Sequence, residues 1–293
     1  MLKLVLPLLF CLTLFSMTLA QAQERFSFFQ ASTVESVTRM LKFAGIRDDD
    51  VVVDLGSGNG LIPITAAQMN PKLRAWGVDV DEKLIRESNQ AAKAKGIADR
   101  VTFFHRNAFD TDLREATVVT MWLFPELMRL LRPTILKTAR PGTRILTSTW
   151  DLGSWAYDEV DNGNPTIYKW IVPARVEGYW SWQLPIAGQQ ITYSSVKEQR
   201  FQAVEGVVRA GKYRELLQDI KLRGEDISFA LTMTLDPVGH TRHEFRGKVR
   251  GDQIEGKAIV TLENRQKLEL PWHAKRTASS LYFAPTGTDV KTD

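Results

Sequence analysis

Between residues 32 and 150 the apolar positions follow two alternating rhythms. Short, near-continuously apolar runs occur at Val51–Val53, Leu73–Val78, Val101–His105, Thr117–Trp122 and Arg144–Thr149. Between them, apolar residues recur every three or four positions. The runs predict strands buried on both faces, and the spaced stretches predict helices. The first helix is read from Ser32-Thr33-Val34-Glu35, a capping box in which the Ser32 hydroxyl and the Glu35 carboxylate satisfy each other's backbone amides. Val34, Val37, Met40, Leu41 and Ala44 then share one face, and Gly45 stops the helix. Further helices are read over Leu61–Met69 with Pro63 in the first turn, over Lys83–Lys95 stopped by Gly96, and over Glu126–Thr138. Strand and helix in alternation imply right-handed crossovers and a parallel sheet covered on both faces. Residues 30–160 are thus predicted to be a doubly wound, Rossmann-like α/β domain.

From residue 166 the rhythm changes to period two. Strands are predicted at Thr166–Val172, Gly178–Leu184, Gln190–Tyr193, Gln199–Ala210, Leu216–Leu222, Asp226–Thr234, His240–Arg250, Gln253–Leu262 and Lys267–Lys275. Turns such as Ala210-Gly211, Arg223-Gly224 and Arg250-Gly251-Asp252 separate them, which describes an antiparallel β-rich domain over 166–283, a barrel or half-barrel. The polar, turn-rich stretch Asp158–Pro165 is expected as an exposed loop between the two halves. Trp150, Trp155, Trp170, Trp180 and Trp182 crowd the junction and are expected to form an inter-domain core.

The amino terminus is read apart from the fold. Lys3 precedes an uncharged apolar run from Leu4 to Ala20, closed by small residues at Thr18-Leu19-Ala20 and Ala20-Gln21-Ala22. That describes a cleaved secretory signal over 1–22 and an exported, periplasmic protein with no stable membrane insertion once the signal is removed. An uncleaved anchor, or a cytoplasmic chain started at Met17, are the other readings. The single cysteine, Cys11, lies inside this segment, so no internal disulfide, Cys-based zinc site or iron–sulfur cluster is available. Lys and Arg number 38 against 34 Asp and Glu, without a basic run, so no nucleic-acid footprint is read.

The chemistry gathers at Asp54-Leu55-Gly56-Ser57-Gly58-Asn59-Gly60, between the first strand and its helix. Glycines let the backbone turn tightly and approach a ligand. No Lys-Ser/Thr follows the glycines, which excludes a nucleoside-triphosphate loop, and the third glycine comes one residue early for a dinucleotide fingerprint. Asp54 would repel a pyrophosphate but suits an ammonium. Asp79, at the end of the second strand, can take two ribose hydroxyls, and Asn107 after the third can hydrogen-bond an adenine edge. Amine, ribose and adenine together describe S-adenosylmethionine.

These residues resemble the class I S-adenosylmethionine-dependent methyltransferases. Asp54–Gly60 matches the first motif, Gly77-Val78-Asp79-Val80-Asp81 the second, and Arg106-Asn107-Ala108-Phe109 the adenine segment, with Asn107 where Asp is usual. The resemblance implies cofactor contacts from Asp54, Gly56, Ser57, Gly58, Gly60, Asp79, Asn107 and Ala108. Asp110 to Leu113, Ala116 to Pro125, Leu131-Arg132-Pro133 and Arg140 to Arg144 are similar to a subgroup of exported bacterial and mitochondrial protein-lysine methyltransferases, which implies a protein substrate. The Asn-Pro-Pro-Tyr/Phe tetrad of amide and adenine methyltransferases is absent; Trp122-Leu123-Phe124-Pro125 stands there instead. Trp122 and Phe124, with Asp151 and Trp155 beyond the fifth strand, are candidates for the acceptor mouth. Two other readings fit the same residues: a small-molecule methyltransferase, and a non-catalytic nucleoside-binding protein whose β-domain engages a partner. His240 and His243 fall on opposite strand faces, Glu198, Glu205 and Glu215 read as an exposed face, and no metal site is read.

Overall fold

Each of the first four strands is followed by a connection that carries the chain back across the sheet, so the first five strands run parallel. The computed structural model describes residues 32–236 and 238–278, and the signal-like segment 1–22 lies outside them. In chain order come α1 (Val34–Ala44), β1 (Val51–Leu55), α2 (Leu61–Met69), β2 (Arg74–Asp79), α3 (Glu82–Ala94), β3 (Val101–His105), a 3-10 turn (Ala108–Asp110), β4 (Val118–Met121), α4 (Pro125–Thr138) and β5 (Arg144–Ser148). The spatial order is β3-β2-β1-β4-β5. The direction of winding therefore reverses between β1 and β4, and a ligand crevice is expected beyond their carboxyl ends.

Alternation sorts the strand residues between two cores. Val52, Val118 and Leu146 face α1, α2 and α3, while Val53, Val119 and Ile145 face α4, Trp155 and Trp170. Helix α1 begins one residue later than the Ser32–Glu35 box implies. Thr33 keeps the extended conformation of the cap and accepts from the Ser36 amide at 3.2 Å; Glu35 lies within the first turn instead of closing a box with Ser32.

Two further strands, β6 (Glu159–Asp161) and β7 (Ile167–Ile171), extend this sheet past β5 in the order β5-β7-β6, both pairings antiparallel. This corrects two sequence expectations. The stretch 158–165 is a hairpin arm as well as a loop, and the strand at 166–172 belongs to the first sheet. Period two identifies a strand but is silent on which sheet will pair it. The hairpin is held by Arg39, which donates to Asn164 O (3.3 Å) and pairs with Asp161 (3.4 Å).

The second sheet contains β8 (Gly178–Ile186), β9 (Gln189–Arg200), β10 (Ala203–Ala210), β11 (Tyr213–Leu216), β12 (Gln218–Arg223), β13 (Asp226–Leu235), β14 (Gly239–Arg250), β15 (Gln253–Thr261) and β16 (Lys267–Thr277). Its order is β11-β10-β9-β8-β16-β15-β14-β13-β12. Only Leu217 separates β11 from β12, so one bent strand pairs with β10 at one end of the sheet and β13 at the other. That strand closes an up-and-down barrel. The expected strand Gln199–Ala210 is broken at Phe201, whose φ of 59° turns the chain, and Leu216–Leu222 is split by the bend.

The barrel meets the first sheet through that same turn. Phe201 stacks on Trp155 (centroids 5.3 Å apart, planes 4° apart) and carries the Arg132 guanidinium 5.6 Å over its ring. Ala174 donates to Gly224 O (2.7 Å), and Arg223 pairs with Glu159. Trp155 and Trp170 sit in the first core and Trp180 and Trp182 in the barrel core, whereas Trp150, expected at the junction, is 51% exposed. Among the described residues no helix is long and apolar enough to cross a membrane.

Candidate active site

Parallel pairing brings the carboxyl ends of β1 to β5 to one edge. Residues from Asp54 to Asp151 therefore gather around the crevice between β1 and β4. The glycine loop is built by strand register. The amides of Gly56 and Ser57 both donate to Val78 O on β2, each at 2.9 Å. A Cβ on Gly56 (φ 81°) would lie 2.5 Å from Leu123 Cδ2, and one on Gly60 (φ 77°) 2.6 Å from the Phe103 ring. Glycine is required at both positions by conformation and by space.

Asp79 braces the loop. One carboxylate oxygen accepts the Gly58 amide (2.8 Å) and the other the Asp81 amide (2.9 Å). An ionised carboxylate has about four acceptor positions, so two remain for a ligand's hydroxyls. Ser88 Oγ donates to Gly58 O at 3.1 Å and ties α3 to the same turn. Ser57 Oγ is buried against Gly77 without a hydrogen-bond partner. Asn107 caps the 3-10 turn by accepting the Phe109 amide at 3.0 Å, and its oxygen keeps a second lone pair beside Ala108.

Asp54 lies at the base, 2% exposed, and accepts from Thr120 Oγ1 at 2.7 Å. Burial pushes its carboxyl up to about 7; the Thr120 hydrogen bond opposes that rise, and the nearby Asp79 charge adds to it. A buried, destabilised carboxylate gains most from a cation placed beside it. Thr120 escaped the sequence reading because only the β1–β4 register sets it opposite Asp54.

The acceptor candidates divide. Phe124 stands 43% exposed just ahead of α4, and Trp122 packs half-buried against the α1–α3 core. Asp151 accepts the Gly153 amide (2.8 Å) and lies 3.7 Å from the Arg129 guanidinium, as a turn residue and ion-pair partner. Trp155 is wholly buried and cannot line the mouth. Exposed Trp150, which the sequence predicts at the junction, follows β5 at the same edge. Among the described residues no three His, Cys, Asp or Glu side chains gather as metal ligands.

Residues 54–159 match the family described as the ANTKMT methyltransferase domain. Over 141 residues the chain is 36% identical to a protein-lysine N-methyltransferase of Saccharolobus islandicus, spanning 46% of this chain and 88% of that protein. The chain belongs to the class I S-adenosylmethionine-dependent methyltransferases. A ribosomal protein L11 methyltransferase of Desulforamulus reducens is 28% identical over 103 residues, 35% of this chain and 33% of that protein. A crystal structure of an RNA methyltransferase from Salinibacter ruber in complex with S-adenosyl-L-homocysteine shows 36% identity, covering 50% of this chain and 96% of that one, with a TM-score of 0.49. Each of these likenesses stops at or before half of this chain. The methyltransferase takes S-adenosylmethionine as its methyl donor, and the crevice suits it: a buried acid for an ammonium, spare carboxylate lone pairs for hydroxyls, and a side-chain-free turn for close approach.

Proposed function

We propose that this methyltransferase N-methylates a lysine side chain of another protein. The likeness to the Saccharolobus islandicus protein-lysine N-methyltransferase over 88% of that protein's length carries this reading. In it, Asp54 holds the donor's ammonium, Asp79 its ribose, and Asn107 with Ala108 its adenine. Bound there, S-adenosylmethionine supplies a methyl group on sulfonium, with a neutral thioether as leaving group. The chain's own share of the work is orientation and exclusion of water. The amine must arrive neutral, its lone pair forming the new N–C bond as the C–S bond breaks and its proton passing to solvent. Exposed Phe124 and Trp150, with half-buried Trp122, offer apolar and ring surface that lowers an amine's pKa and receives the developing cation over a ring face.

The test is product chemistry. Incubation of the purified chain with S-adenosylmethionine carrying a labelled methyl, and with cell-envelope proteins, is followed by acid hydrolysis. Label in methyl-lysines supports the proposal, whereas label only in small molecules, or in none, overturns the lysine assignment. The segment 1–22 supports an exported, periplasmic site of action, and sequencing the mature amino terminus of the native protein tests it.

A further inference from the structure

The barrel holds a set of buried polar groups that transfer of a methyl group does not use. Along β8, β9 and β13 to β16 the side chains that alternate inward are almost all apolar or aromatic. Trp182, Tyr193, Phe229, Phe245, Trp272 and His243 form one continuous ring cluster, with centroids from 4.7 to 6.3 Å apart. Into it points Lys197, 1% exposed, with its Nζ 5.7 Å from the ring centres of Trp180, Trp182 and Phe229. Lys197 donates to Ser195 Oγ. The indole nitrogens of Trp182 and Trp272 and Nδ1 of His243 are buried without any hydrogen-bond partner. Tyr193 lies 2.8 Å from the other His243 nitrogen; with Tyr193 donating there, the imidazole proton sits on Nδ1.

Every unmet group in that set is then a donor, and beside them the Lys197 amine donates to Ser195 Oγ. No Asp or Glu occupies an inward position on these strands. The chain therefore concentrates donors and places no carboxylate among them, an arrangement that costs stability unless a further acceptor enters. Closed barrels of about eight strands either fill with side chains or hold one small ligand. A cleft of about 560 Å³ is lined by Gly178, Val249 and Arg276, and the Arg276 guanidinium lies 4.5 Å from the ring centre of Trp180, the ring that Lys197 also approaches. Trp180 thus touches the cation lining the cleft and the cation of the core.

We propose that the barrel is a binding site for a small organic carboxylate with an apolar body, its oxygens seated on the Lys197 ammonium and the indole N–H groups, its body among the rings. Burial, and then the Arg276 charge, hold the Lys197 amine down to about 7, a shift that an adjacent carboxylate reverses.

The test titrates decanoate and, as its uncharged match, 1-decanol into the full chain by calorimetry. Expected is saturable binding of one decanoate per chain, with decanol at least tenfold weaker. Lys197→Met should cost decanoate at least tenfold and leave decanol unchanged. Trp272→Phe, which keeps the ring and loses the N–H, should cost decanoate several-fold and decanol nothing. Affinity for S-adenosylhomocysteine should be the same in all three proteins, which separates failure of this site from failure of the methyltransferase reading. No decanoate binding, equal binding of acid and alcohol, or decanoate binding indifferent to both substitutions would overturn the proposal, leaving water to satisfy the donors. If Lys197→Met does not fold, the wild-type comparison and Trp272→Phe still decide it.

Discussion

Two buried ionisable groups carry opposite pH signatures. Asp54 is raised to about 7 from an unfolded value near 3.9, so its neutral form favours the fold. That contribution is present below about pH 4 and is lost as pH rises through 7, where the carboxylate forms unpaired. A ligand ammonium needs that carboxylate. Affinity for S-adenosylhomocysteine should therefore rise about tenfold between pH 6 and pH 8, as the ionised fraction climbs from roughly a tenth to nine-tenths. Asp54→Asn should bind weakly and flatten this dependence, as calorimetry at the two pH values would show. Lys197 is lowered to about 7, so its charged form opposes the fold at and below neutrality. That penalty fades as pH climbs from 7 toward 10.5. Lys197→Met should then raise the unfolding free energy at pH 7 and remove a stability gain seen on moving to pH 9 in denaturant titrations.

Among elements, α2 and β3 have the bounds read from sequence, because their apolar runs are bounded by Gly60 and Asn70 in one case and by Arg100 and Arg106 in the other. The cap of α1 lies one residue past the position the sequence predicts, since Ser32 and Thr33 are chemically alike and only backbone conformation distinguishes them. Thr33→Ala should cost about 1 kcal/mol and Ser32→Ala little, measured by chemical denaturation; the reverse order would restore the Ser32–Glu35 box. The glycines and Asp79 were legible because their chemistry is local. Thr120 and the joining of β7 to the first sheet were not, because both follow from pairing across the sheet. Gly60→Val should displace the loop, since its Cβ would meet the Phe103 ring and the Ser88 Cβ within 3 Å. Loss of S-adenosylhomocysteine binding with the barrel's circular dichroism intact is the expected outcome.

At the scale of the whole molecule, the parallel sheet and the barrel are joined by Phe201 stacked on Trp155 and by Arg223 on Glu159, contacts between residues distant in sequence. The change of rhythm after residue 166 marked a second architecture but placed its start one strand early. Phe201→Ala should cost about 1 kcal/mol, below the roughly 1.5–3 kcal/mol of a fully buried ring because Phe201 is half-buried, and lower the melting of both sheets together. Separate loss of one sheet would show that the halves melt independently.

The most direct measurement is a calorimetric titration of S-adenosylhomocysteine into the full chain and into Asp79→Ala. One saturable site is expected in the wild type. In the variant, affinity should fall by about 1.5–3 kcal/mol, roughly 10- to 150-fold, because a charged acceptor is lost from both the ligand and the Gly58 amide. Absence of binding at millimolar ligand by a folded wild-type chain, or equal affinity in the variant, would contradict a donor site built on the glycine loop and Asp79.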